Sequence, residues 1–397
     1  MHKTFILISK ITLFLVFTLF CLPILISEKN ILLSKLAAFR IYFTILFEIS
    51  AIIFLLKYPI VHQYKVFPIN LYVFLIMISI LMSMFFSSED LILIPAVLFW
   101  GLAYLVFQRF TYYNPSVIFS LLKYFYILCI TLVILVLITV LSGVTVSTKD
   151  FTANNLVYLP YFAFPWALCS NNPKSRRFIV LFMSIVVYLT LKRTVFVGFI
   201  LSVFVYYIVD RIVTQRGLNL KIIFSIVLLA IFTYFSFTIL DSKFGNIFTQ
   251  RMEGISEDKG SGRFDIYDEV ILYQAKSSTF EWLVGHGHNS VAKFTTDKVS
   301  AHNDWLEILY DYGLISVFFY VIINFYILKY LFRLIRGRSK FAAPFALSYV
   351  IFFVTSISSN VIIYPSHFIL ITSFWGAVIG TTFREPLRGV KTPQHIN

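Results

Sequence analysis

Charge is scarce in this chain. Of its 397 residues, 13% are Asp, Glu, Lys or Arg, against about 25% in an ordinary soluble domain, which excludes a solvated surface of the usual kind. Cysteine is scarcer still. Cys21, Cys129 and Cys169 all fall in apolar runs, which excludes a disulfide framework and metal-ligand spacing and leaves small core- or lipid-facing hydrophobes. The chain has no phosphate-binding glycine loop, internal repeat, low-complexity tract or heptad pattern. Nothing alternates like a barrel strand, and the inverted symmetry common in transporters is not visible.

What fills the chain instead is oil. Runs such as ITLFLVFTLFCLPILI, INLYVFLIMISILMSMFF and FYILCITLVILVLITVL have the roughly 20 apolar residues that a bilayer core demands. The expected fold is an all-α polytopic membrane protein with about twelve transmembrane helices, near 5–26, 36–57, 69–86, 91–107, 122–143, 155–169, 177–191, 194–209, 220–240, 313–332, 341–362 and 366–383. The N-terminus has a basic start but no small-x-small cleavage site, so it reads as a retained first span.

The net charge of +14 is an orientation signal rather than a nucleic-acid footprint. With the N-terminus inside, Lys57, Lys65, Arg109, Lys174, Arg176, Arg177, Arg211, Arg216, Arg333, Arg336, Arg338, Lys340 and the tail Arg384, Arg388 and Lys391 all fall in inner loops. The outer turns SSED (87–90), TKDFTANN (148–155) and YPSH (364–367) are poorer in cations. Both termini are therefore expected in the cytoplasm. Lys192 and Arg193 are the exception, at an outer turn. Either they have an anionic partner there, or the two short spans flanking them are misjudged and the turn lies inside.

The same bookkeeping divides the chain into helices one to nine (1–240), one large outer, periplasmic loop carrying short amphipathic helices (241–312), and helices ten to twelve with a cytoplasmic tail (313–397). A loop that long usually has a function.

Within it, SAHNDWLEILYDYG (300–313) crowds His, Asn, Trp and three carboxylates together. Ser300 can cap a helix starting at Ala301, with His302 and Asp304 in its first turn and a bend at Gly313. His302, Trp305, Leu306 and Leu309 then share one face, and Asp304, Glu307 and Asp311 another, as in an amphipathic helix lying on the membrane surface. A helix N-terminus favours a neutral imidazole, the form a general base needs, and welcomes an anion such as phosphate; a plain surface histidine is the alternative. Arg263 opens a second amphipathic stretch, beside Asp265, Asp268 and Glu269, which read as a solvated face. His286 and His288 in GHGHN suit a loop, with no carboxylate or Cys nearby to complete a metal set. Glu48 lies mid-span, as a functional carboxylate or a bundle-facing hydrogen-bond partner.

LKRTVFVGF (191–199), SGRFDIY (261–267), VGHGHNS (284–290) and AHNDWLEILYDYG (301–313), with TANNLVYLPYF (152–162) ahead of them, resemble in their order the O-antigen ligase and polymerase superfamily of bacterial envelope glycan assembly. The resemblance covers about 150–335. It implies an inner-membrane glycosyltransferase that moves a glycan from a polyprenyl pyrophosphate to an acceptor hydroxyl on the periplasmic face, with no cofactor, metal or nucleotide sugar. Under it, Arg193 and Arg263 bind the pyrophosphate, and His302 orients or deprotonates the acceptor. Lys192, Asn303, Asp304, Trp305 and His288 complete the expected substrate-binding set.

The outer KR pair and AHND-W look more like a polymerase, which joins lipid-linked repeat units, than a ligase, which moves the finished chain to lipid A core. A chain-length regulator protein is a candidate partner beside membrane lipid; nucleic acid is not. A lipid-linked oligosaccharide flippase is the non-enzyme alternative, though it has no need of the large loop. A polyprenyl-phosphate-sugar glycosyltransferase using the SSED acids is a further one.

Overall fold

The computed structural model describes residues 45, 48–57, 68–87, 94–141, 155–190, 192–214, 263–296, 298–362 and 365–384. The expected spans at 5–26 and 220–240, Cys21, the acids of SSED, residues 148–154, the glycine-rich stretch 254–262 and the tail after 384 lie outside them.

Every element among the described residues is helical. After a helical stretch at 48–57 come α1 (Pro68–Phe86), α2 (Ile94–Tyr113) and α3 (Val117–Leu141). A 3-10 turn at Asn155–Val157 leads into α4 (Tyr158–Leu168), followed by α5 (Pro173–Leu189) and α6 (Arg193–Val213). Three short helices, α7 (Arg263–Lys276), α8 (Thr279–Val284) and α9 (Ser290–Phe294), precede α10 (Asp304–Arg336), α11 (Ala342–Ser358) and α12 (Pro365–Arg384). Among these, α1, α6, α10 and residues 117–140 of α3 have both the length and the apolarity to cross a bilayer.

The sixth expected span is corrected. At 11 residues, α4 is about 16 Å long, half the thickness of a hydrocarbon core, and all of it is buried. Its Trp166 stacks on Phe125 of α3 at 4.0 Å and donates to Leu370 O of α12 at 2.9 Å. An apolar run can thus be a half-helix enclosed by its neighbours.

Close backbone approach holds the bundle where side chains are smallest. A Cβ on Gly376 would lie 2.3 Å from Tyr104 O, and one on Gly380 would lie 2.1 Å from Gln108 O. These glycines, four apart on α12, let it lie against α2, where Thr111 Oγ1 donates to Ala377 O at 2.9 Å. Gly376→Leu should therefore force the pair apart, at about 1–3 kcal/mol or more. Thermal unfolding in detergent would show it as a fall in midpoint; an unchanged midpoint would mean the helices have room to part.

Chain direction sorts the bundle's two ends. The end where α10 begins also carries the starts of α4, α6 and α12 and the end of α11. The opposite end collects Arg109, Lys174, Arg176, Arg177, Arg211, Arg333, Arg336, Arg338 and Lys340.

Candidate functional site

The helix that follows His302 begins later than the sequence suggested. Asn303, not Ser300, is its cap: Asn303 Oδ1 accepts from Trp305 N at 3.0 Å and from Leu306 N at 3.4 Å. His302 stands one residue outside the cap, with φ 52° in the left-handed region. Ser300 Oγ is engaged elsewhere, by Asn360 Nδ2.

The carboxylate face is corrected as well. Asp304, Glu307 and Asp311 are all fully buried, and each clamps a different piece of backbone. Asp304 Oδ1 accepts from Val361 N at 2.8 Å and Ile362 N at 3.1 Å. Glu307 Oε2 accepts from Ala301 N at 2.7 Å. Asp311 accepts from Asn289 N at 2.7 Å and Val291 N at 3.1 Å. Spacings of three and four put the acids on one side of the helix, and that side faces loops, not water. The first part of α10 is therefore not an amphipathic helix with a solvated acidic face.

The expected bend at Gly313 is present, with φ 73° and ψ 178° inside α10. It locks against the VGHGHN loop. A Cβ on Gly313 would lie 2.3 Å from Leu283 O, and one on Gly285 (φ 87°) would lie 2.3 Å from Asp311 O. His286 N and Gly287 N donate to Tyr310 O and Asp311 O at 3.0 and 2.9 Å. Only glycine fits both the conformation and the contact at these two positions.

One turn gathers the rest of the site: Ser358–Ile362, after α11. Ser358 O accepts from Arg263 Nη1 at 2.6 Å, so the guanidinium sits at the negative end of α11. Ser359 Oγ accepts from Tyr158 OH at 3.2 Å. Asn360 holds Ser300, and residues 361–362 hold Asp304. Lys192, at the cap of α6, lies 5.6 Å from the centre of the Tyr158 ring.

His302 is half-buried in this cluster. Burial, then the Arg263 guanidinium, then the Lys192 ammonium press its pKa down to about 4. The imidazole is thus neutral at pH 7, through burial and neighbouring cations and not, as expected from the sequence, through a place in the helix's first turn.

Of the other sequence-picked residues, Arg193 is the half-buried first residue of α6, next to Lys192. Trp305 packs edge-on against Tyr320 at 4.9 Å. Asn303 and Asp304 have the capping and clamping tasks described above. His288 is buried, with Nδ1 2.6 Å from Tyr312 OH. His286 donates from Nδ1 to Tyr310 O at 3.0 Å and stacks on that ring. Glu269 accepts from Thr296 N and Oγ1 at 2.9 and 2.7 Å.

Sequence reasoning passed over Tyr158, Ser359 and Asn360. YPSH just beyond marked only a turn, and nothing local announces that residues 358–362 meet three distant segments.

With that geometry in place, residues 178–321 match the family model described as O-antigen ligase. Over that stretch the chain is similar to the O-antigen polymerase and ligase superfamily. It is a multi-pass membrane protein. The superfamily match takes in Lys192, Arg193, Arg263, His288 and His302–Trp305, while Tyr158 and the 358–362 turn lie outside it. No curated protein matches the chain.

Proposed function

We propose that this protein is an O-antigen polymerase, joining polyprenyl-pyrophosphate-linked oligosaccharide repeat units on the periplasmic face of the inner membrane. The observation that carries the proposal is a neutral imidazole, His302, held in the field of Arg263 and Lys192.

The acceptor hydroxyl forms a bond to the donor's anomeric carbon as the bond from that carbon to pyrophosphate oxygen breaks. The hydroxyl proton passes to His302, and the electron pair leaves with the polyprenyl pyrophosphate. Arg263, with one donor spent on Ser358 and four more on its planar fork, stabilises the growing charge together with Arg193 and Lys192. The substrate also corrects the base. Its negative pyrophosphate offsets the two cations that depress His302, so the imidazole gains basicity when donor is bound.

The end where α10 begins, poorer in Arg and Lys, faces the periplasm in this reading, and the end richer in them faces the cytoplasm. The order of motifs, with the KR pair (192–193) and AHND-W (301–305), favours polymerase. The description of the matching family favours ligase as the second reading.

Lipopolysaccharide gels from cells lacking the gene separate the two. Core carrying a single repeat and no ladder supports polymerase. Bare core, with long glycan on the polyprenyl carrier, makes the protein a ligase.

The electrostatics add a pH test. For the free enzyme, kcat/KM should hold as pH falls through 6.5 and drop only near His302's pKa of about 4. Arg263→Gln removes a cation that opposes imidazolium, so it should move that acid limb upward. It should also lower the rate about 10²–10³-fold, as loss of a charge-stabilising donor does. A limb that stays in place would separate Arg263 from His302.

A further inference from the structure

We propose that α8 is a membrane foot: Phe280 and Leu283 insert into the interfacial region of the bilayer and seat the α7–α9 segment on the lipid surface. A capping box pre-forms this short helix, with Ser278 Oγ accepting from Glu281 N at 3.3 Å and Glu281 Oε2 accepting from Ser278 N at 2.7 Å. Phe280 and Leu283, one turn apart and so on one side, are 51% and 43% exposed. In water that is an unstable place for two large apolar side chains beside each other.

What covers them is indicated by continuity. Helix α1 exposes Leu71, Phe74, Ile78, Met82 and Phe85, a stripe with helical spacing along a segment apolar enough to span a bilayer. At the top of the stripe, Phe86 meets the Phe280 ring edge-on at 5.0 Å. On the other flank α8 packs against α10, which exposes Leu314, Phe318, Val321 and Phe325 below the bend. The lipid-facing surface of two spans thus runs without a break onto α8, where aromatic side chains are at home at the membrane interface.

The foot is mechanically joined to the site's scaffold. Leu283 O lies where a side chain on Gly313 would have to go, and Gly285 follows at once. The depth of α8 in the membrane therefore sets the height of the loop that Asp311 clamps. This inference rests on α1 and α10 being spans and is independent of the reaction proposed above.

The test is a spin label at Phe280→Cys or Leu283→Cys in the full chain, with Cys21, Cys129 and Cys169 replaced, reconstituted in phosphatidylethanolamine–phosphatidylglycerol vesicles. Both positions are exposed, so the variants should fold; a label at Phe85→Cys on α1 is the lipid reference. The expected result is that oxygen collides with the 280 and 283 labels more than a water-soluble nickel chelate does, as at position 85. Collision mainly with the nickel chelate would overturn the proposal in favour of a water-exposed face. Labels shielded from both would overturn it in favour of a protein partner.

Discussion

Replacing His302 with asparagine should leave a folded, membrane-inserted protein that transfers glycan about 10²–10⁴-fold more slowly, the contribution a positioned general base makes. The choice of residue matters. His302 holds φ 52°, a conformation that asparagine tolerates and alanine does not, so His302→Ala would mix backbone strain with lost chemistry. Asparagine keeps the turn and a polar side chain but cannot take a proton at neutral pH. Turnover of purified enzyme on lipid-linked repeats, with monodispersity in detergent as the folding control, decides it. Near-normal turnover in His302→Asn would remove the imidazole from the reaction and leave the cations to do the work alone.

Much of this site could be read from residue types and spacing, and the reasons for the rest are physical. Apolar runs mark helices because a spanning backbone must satisfy itself, and α1, α3, α6 and α10 follow the runs that suggested them. Gly313 announced its bend because few other residues adopt its backbone angles. The segment ahead of it misled for a specific reason. Carboxylates at 304, 307 and 311 have the period of a solvated helix face, and period cannot distinguish water from a distant backbone as the partner. Their partners lie at 361–362, 301 and 289–291, and two of these three are remote in sequence. Ser300 looked like a cap for the same reason: its partner, Asn360, is 60 residues away. Local rules chose Ser300 over Asn303, though both are good caps, and tertiary contact settled it. The short helix α4 shows the limit in the other direction. Apolarity predicts burial, and α4 is buried, but whether protein or lipid buries it is not written in the run itself.

Asp304 offers the sharpest test of what those buried acids do. Asp304→Ala should lower stability by a few kcal/mol, since it strips the acceptor from two buried backbone N–H groups, Val361 and Ile362, at about 1–3 kcal/mol each. The damage should not stop at stability. The turn that Asp304 anchors also holds Arg263 through Ser358, Tyr158 through Ser359 and Ser300 through Asn360. Loosening it disperses the cations from around His302, so turnover per folded molecule should fall too. Asp304→Asn is the discriminating partner, because its Oδ1 can still accept from both N–H groups while the carboxyl, whose pKa burial pushes well up, is replaced by an amide that cannot ionise. If acceptor geometry is what counts, the asparagine variant should recover most of the thermal midpoint and most of the turnover that alanine loses. If asparagine is as damaging as alanine, the carboxyl group matters beyond its acceptor geometry, and Asp304 is more than a clamp. An alanine variant that unfolds and turns over like the parent would mean the 358–362 turn holds its place without Asp304.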